Sequence, residues 1–209
     1  MSSKKYKIVF GDVQPQTTIS TSPNTSTIKK FKITFGDVKP IVKHNVSLNI
    51  PSKFDNKKEF ADTFVNLYKP ILKQYGISEE YAYYLTAQAA LESSWGEKPA
   101  GVYEGVVTNN YIGEKDFSGK GHAMNTTEYI DGKPVKLKDN FRIFDSLLDM
   151  AKFHVWKFTR GRWVAHNIYD PSNIEGFGTR VATAGYATDP KYGEKIKTTV
   201  EQVKNLSNG

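Results

Sequence analysis

The sequence predicts an α+β protein that is mainly α-helical, with one β-hairpin. Three observations predict it. Apolar residues recur at helical spacing from Lys57 onward, at Phe60, Phe64, Leu67, Ile71 and Tyr75. A second such stripe closes the chain at Tyr192, Ile196, Val200, Val203 and Leu206. Between them, Asp131-Gly132 separates Thr126–Ile130 from Val135–Phe144, and Asp-Gly is a strong hairpin turn signal.

The elements follow in order. Gly76 ends the first helix. Ser78 caps the second, Glu79 and Glu80 supply its acidic first turn, and it is expected to run to about Trp95, stopping at Gly96 and Pro99. Residues 100–125 are rich in Gly, Asn and Lys and read as loops. Further helices are expected at about Ser146–Thr159, Ser172–Ala184 and Tyr192–Leu206.

Residues 1–50 read differently from residues 51–209. Lys5-Tyr-Lys-Ile-Val-Phe-Gly-Asp-Val-Gln-Pro15 returns 25 positions later as Lys30-Phe-Lys-Ile-Thr-Phe-Gly-Asp-Val-Lys-Pro40, with eight of eleven positions identical. A Ser/Thr-rich linker, Gln16 to Thr27, joins the two units. This tail holds eight Lys against Asp12 and Asp37, a net +6, whereas the body has 21 basic and 20 acidic residues. Each unit alternates as a short strand does and suits docking onto a partner's sheet edge. A hairpin folded onto the body and a disordered tail are the alternatives. The near-neutral body carries no nucleic-acid motif.

Composition narrows the chemistry. Hydrophobic residues at 38% and aromatics at 13% suffice for a core. With no cysteine, there is no disulfide, thiolate metal site or cysteine nucleophile. The four histidines (His44, His122, His154, His166) lack metal-ligand spacing, so no metal or cofactor is expected. No run of about 18 apolar residues exists to span a membrane. Met1–Phe10 lacks an apolar stretch long enough for a signal peptide. Catalysis should therefore rest on carboxylates.

Glu92 lies near the end of the second helix, on one face with Leu85, Ala89 and Trp95. A carboxyl group partly desolvated beside an indole holds its proton to higher pH and suits general-acid work. A surface glutamate near a helix end is the plainer reading of the same spacing. Glu128 stands in the first hairpin strand, on the face of Thr126 and Ile130.

The neighbours of these residues decide the matter. Ala87-Gln-Ala-Ala-Leu-Glu92-Ser-Ser-Trp-Gly96 resembles the catalytic-helix motif of glycoside hydrolase family 73, the bacterial and phage β-N-acetylglucosaminidases. Asn109-Asn-Tyr-Ile-Gly-Glu-Lys115 looks like the family's following loop. Thr127-Glu128-Tyr129 and Phe141-Arg-Ile-Phe-Asp-Ser146 are similar to its hairpin, and Gly185-Tyr-Ala-Thr-Asp-Pro-Lys-Tyr192 to its late tyrosine motif. The resemblance covers roughly residues 57–206.

The resemblance implies a lysozyme-like helical domain with the hairpin over an active-site groove, hydrolysing bacterial peptidoglycan after N-acetylglucosamine. Glu92 would be the general acid. Glu128 would be the second carboxylate, and Tyr186 would help position the scissile sugar. Trp95, Asn110, Tyr111 and Tyr192 would line or buttress the groove and bind substrate. Carboxyl groups about 6.5–9.5 Å apart would fit inversion and about 5–5.5 Å retention. A substrate-assisted route stays open. A muramidase or lytic transglycosylase on the same fold, and a non-catalytic virion or wall-binding protein, are the competing readings. The tail repeats would dock the enzyme on a phage structural protein, placing it in a virion, or in the host cytoplasm before release, until it reaches the wall. Two departures stand out: Ser94 replaces a usual Gly, and Tyr111-Ile-Gly-Glu114 replaces Leu-Phe-Gly-Ile.

Overall fold

The computed structural model describes residues 54–97, 102–103, 106–130 and 133–207. The tail with its repeats, the boundary at residue 50 and the Asp131-Gly132 turn lie outside the described residues. Among those described, the order is α1 (Lys57–Gln74), α2 (Tyr81–Ser93), β1 (Val102–Tyr103), β2 (Val106–Val107), β3 (His122–Ile130), β4 (Lys133–Phe141), α3 (Leu147–Lys157), α4 (Arg162–Ala165), a 3-10 turn (Ile174–Gly176), α5 (Phe177–Thr183) and α6 (Tyr192–Ser207). The predicted class holds: the body is mainly helical with one long antiparallel hairpin.

Local chemistry explains the helix ends. The Asn56 side chain accepts from Glu59 N at 2.9 Å and caps α1. At its far end Gly76 takes φ +66 while Ile77 N–H bonds back to Leu72 O and Gly76 N–H to Lys73 O, the paired bonds of a Schellman stop. Ser146 caps α3 through Asp149 N at 3.1 Å.

The second helix is the axis of the body. Its apolar residues are not confined to one stripe: Ala82, Leu85, Ala87, Ala89 and Ala90 are all fully buried. A helix apolar on every side belongs inside the core. Here α1 and α6 pack against it, and α1 also meets α3. The small alanines let those neighbours approach closely.

Several boundaries differ from expectation. Helix α2 starts at Tyr81 rather than Ser78, whose Oγ accepts from Glu80 N in the preceding turn. It ends at Ser93 rather than Trp95, because Ser94 turns left-handed at φ 51, ψ 51. Tyr75 is the C-cap of α1 and 36% exposed, so the stripe ends at Ile71. Strand β4 stops at Phe141, since Phe144 N–H leaves the ladder for Thr108 O at 2.8 Å. The expected helix over 172–184 splits, because Asn173 Oδ1 captures Gly176 N–H in the 3-10 turn. The β1–β2 ladder and α4 are too short to leave a periodic signal.

Candidate active site

Glu92 sits in the last turn of α2, where the buried helix emerges. Its Oε1 accepts a hydrogen bond from the Tyr192 hydroxyl at 3.1 Å. Gly113 lies against the other oxygen: a Cβ placed there would stand 3.2 Å from Glu92 Oε2. Gly113 also has φ +61, so glycine serves both the turn and the close approach.

The backbone carrying the expected indole leaves the helix. With Ser94 at φ 51, Trp95 at φ 60 and Gly96 at φ 85, the chain leaves the helical path directly after Ser93. Trp95 therefore does not follow Glu92 by one helical turn. Its ring stands edge-on to Phe60 at 5.9 Å, with Lys57 Nζ 5.2 Å from its centroid. Glu92 itself reaches the surface, while its hydrogen bond to Tyr192 is partly buried. Gly96 is required where it stands, since a Cβ would lie 2.7 Å from Phe54 Cδ2.

Tyr192 opens α6 and is buried, and its hydroxyl also accepts from Gln88 Nε2 at 3.0 Å. Burial first, then the charge of Glu92, pushes this phenol well above its ordinary range. Tyr186 packs 5.9 Å from Tyr192, ring to ring, and donates to Ile112 O at 2.6 Å. Burial and then Glu92 raise its pKa as well. The Tyr186 hydroxyl thus ties the loop carrying Gly113 to the segment before α6.

Two residues expected to contact substrate are buttresses. Asn110 is fully buried; its amide donates to Glu114 O (2.8 Å) and Arg142 O (3.0 Å), while its carbonyl accepts from Glu114 N (3.0 Å). Its polar atoms are spent on the loop. Tyr111 is buried against Phe54, Phe60 and Phe64, and burial raises its pKa. Glu128 stands in β3 opposite Val135, as expected for the hairpin, but its side chain lies outside the described parts.

Glu114, the departure from the family pattern, has a partner. Its carboxylate pairs with Lys157 of α3 with both side chains largely covered. Lys157 Nζ in turn stands 4.7 Å from the Tyr186 ring and 5.2 Å from the Trp163 ring. This charge pair props the Gly113 loop against α3.

Sequence reasoning missed a chain of buried polar groups behind Tyr192. Tyr68 of α1 meets His154 Nδ1 at 2.7 Å, and His154 Nε2 meets Gln88 Oε1 at 2.9 Å. Gln88 precedes Glu92 by one helical turn on the same face, which is the only sequence signal for it. His154 is fully buried, and that burial, then Lys157, holds its pKa well below 6.5.

A mainly helical body with one antiparallel hairpin is the fold of the lysozyme-like glycoside hydrolases, and on this body Glu92, Tyr192 and Gly113 come together. The chain belongs to the glucosaminidase family: the family model described as mannosyl-glycoprotein endo-beta-N-acetylglucosaminidase matches residues 65–205. It is similar to the peptidoglycan hydrolase FlgJ of Escherichia coli K12, 34% identical over 127 residues, covering 59% of this chain and 40% of that protein. The exo-glucosaminidase LytG of Bacillus subtilis is 28% identical over 155 residues, covering 72% and 52%. The chain thus spans about 40–50% of these relatives' length. Among solved structures, a C-terminally truncated glycoside hydrolase domain of Salmonella typhimurium FlgJ aligns with TM-score 0.55 and 31% identity, covering 73% of this chain and all of that one. The Listeria monocytogenes autolysin Auto catalytic domain aligns with TM-score 0.58 and 25% identity, covering 77% and 90%.

Proposed function

We propose that this protein hydrolyses the glycan of bacterial peptidoglycan after N-acetylglucosamine, with Glu92 as general acid. The observation that carries the reading is the seating of Glu92: a carboxyl group on a rigid buried helix, held at one oxygen by Tyr192 and flanked at the other by Gly113. A charge in the last turn of a helix faces the negative end of the dipole, which favours the neutral acid form. Glu128 supplies the second carboxylate, as base for water or as electrostatic support. Tyr186 holds the loop beside the acid, and Tyr192 holds the acid itself. Family membership and the FlgJ and LytG relatives support peptidoglycan as the substrate class.

Glu92→Gln should abolish release of reducing ends from purified peptidoglycan while leaving thermal stability intact; an active variant sinks the assignment. Glu128→Gln should slow the reaction strongly, and a small effect would favour the substrate-assisted route. Product masses separate this cleavage from its rivals, which leave a reducing or an anhydro muramic end.

The twin Phe-Gly-Asp-Val units support docking onto a repetitive carrier such as a phage particle, two linked weak sites raising affinity without new contacts. Deleting residues 1–45 should spare hydrolysis and lose particle association. Unchanged packaging would refute this role.

A further inference from the structure

The hydrogen-bond chain behind Glu92 has a direction, and one residue sets it. The Tyr68 hydroxyl is fully buried and meets His154 Nδ1. Were the imidazole to donate there, the phenol proton would need a second acceptor inside the core, and an unpaired buried donor is costly. Tyr68 therefore donates to Nδ1. His154 then carries its proton on Nε2 and donates to Gln88 Oε1. That places the Gln88 amide nitrogen toward Tyr192, whose oxygen accepts it. Tyr192 is left to donate its own proton to Glu92 Oε1. Each donor along the line meets an acceptor, and reversing any link strands one of them.

We propose that Tyr68, His154 and Gln88 form a buried positioning relay that fixes the polarity of the Tyr192 hydroxyl, so that Glu92 Oε1 always receives a proton donor and the transferable proton is confined to Oε2. These three residues act through Tyr192 and touch no substrate. The relay rests on Glu92 being the acid, and it adds which oxygen delivers the proton. Oε2 is the atom beside Gly113, where an added Cβ would stand 3.2 Å away. An acid whose proton moved between two oxygens would spend part of its time aimed away from the leaving group.

The relay makes two measurable demands. The first concerns the unaltered full chain. Nitrogen-15 NMR of labelled histidine should show one imidazole, assigned by elimination with His44→Gln, His122→Gln and His166→Gln, as the neutral Nε2–H tautomer across pH 5.5–8. A Nδ1–H tautomer, or protonation near the ordinary histidine value of about 6.5, overturns the relay. The second uses Gln88→Glu, which keeps the shape. A buried carboxylate there accepts from Tyr192 and takes the donor away from Glu92. Tyr186, whose pKa the Glu92 charge raises, and the Glu114–Lys157 pair beside Tyr186 are left in place by the substitution. Losing the donor and gaining a like charge both favour protonated Glu92, so the basic limb of kcat/KM should move up by about one pH unit or more. A folded Gln88→Glu variant with an unmoved limb refutes the relay, since a merely structural role would lower activity without shifting it. The tautomer measurement stands even where that variant fails to fold. Activity in Glu92→Gln would remove the acid assignment alone and leave the tautomer result as it is.

Discussion

The buried imidazole of His154 makes stability depend on pH in a window where few other groups titrate. In the folded protein Tyr68 of α1, Gln88 of α2 and the Phe158 ring surround it, and Lys157 of its own helix adds a positive charge nearby. Its folded pKa is depressed, whereas in the unfolded chain it titrates near the ordinary value of about 6.5. Below that pH the unfolded state binds a proton that the folded state refuses, so stability falls as pH falls. The slope approaches about 1.4 kcal/mol per pH unit, one proton's worth, until folded His154 itself takes the proton. For a body of this size that lowers Tm by about 3–6 °C per unit. Asp116, Asp139, Asp170 and Asp189 also have depressed pKa values, through hydrogen bonds to Ser118, Lys115, Ser172 and Lys195 respectively. Their contributions are lost only as pH drops below about 4, so the two windows separate. Urea unfolding of residues 51–209 within the full chain, between pH 5 and 8, reads the slope. His154→Phe should be less stable throughout, by roughly 2–6 kcal/mol for two orphaned partners at about 1–3 each, but flat between pH 5.5 and 6.5. An equal slope in both proteins refutes the buried, neutral assignment.

Three further outcomes follow from the loop geometry. Ser94→Gly relieves a left-handed serine worth roughly 1–2 kcal/mol and forfeits about 0.5–1 in backbone entropy, so the unfolding free energy from urea titration should rise by about 0.5 kcal/mol; a fall would contradict the αL cap. Glu114→Ile strands Lys157 and should cost roughly 2–4 kcal/mol, while Glu114→Ile with Lys157→Met should recover to within about 1 kcal/mol of the parent in chemical denaturation. Gly113→Ala should lose only about 1–2 kcal/mol of stability from its positive φ but lower kcat by about 10- to 100-fold, because its Cβ displaces the Glu92 carboxyl; an unchanged kcat would show that Oε2 is not the delivering atom.

What could be read in advance was set by residues whose role is periodic. The stripes of α1 and α6 and the alternation of the hairpin survive in any context, and they gave the fold class. Glu92 stands out in the sequence because its neighbours resemble a known motif. Its surroundings do not, for a local reason: helical spacing runs on through Ser94 to Trp95 in the sequence, whereas the backbone changes hand there. The usual glycine at that position in the family was the available signal. Asn110 and Tyr111 read equally well as lining or buttressing a groove, because polar and aromatic side chains in a loop suit a sugar site and a core alike; only burial separates the two. Nothing local distinguishes His154 from the other histidines. Its partners come from α1 and α2, 86 and 66 positions away, contacts that no spacing rule reaches.

The exposure of Glu92 bears on how such a site works. Desolvation by a fixed indole would make the acid strong in holding its proton but would also crowd the glycan it must reach. Here the rigid parts lie behind the carboxyl group: the alanine-rich α2 inside the core, and a hydroxyl whose direction is set from Tyr68 onward. In front, among the described residues, Glu92 reaches the surface. On the proposed function, the sugar itself is what removes water from the acid, so the apolar environment arrives together with the oxygen to be protonated. The protein then has to supply orientation rather than dryness, and orientation is what the buried polar chain, the Gly113 turn and the Glu114–Lys157 prop each contribute.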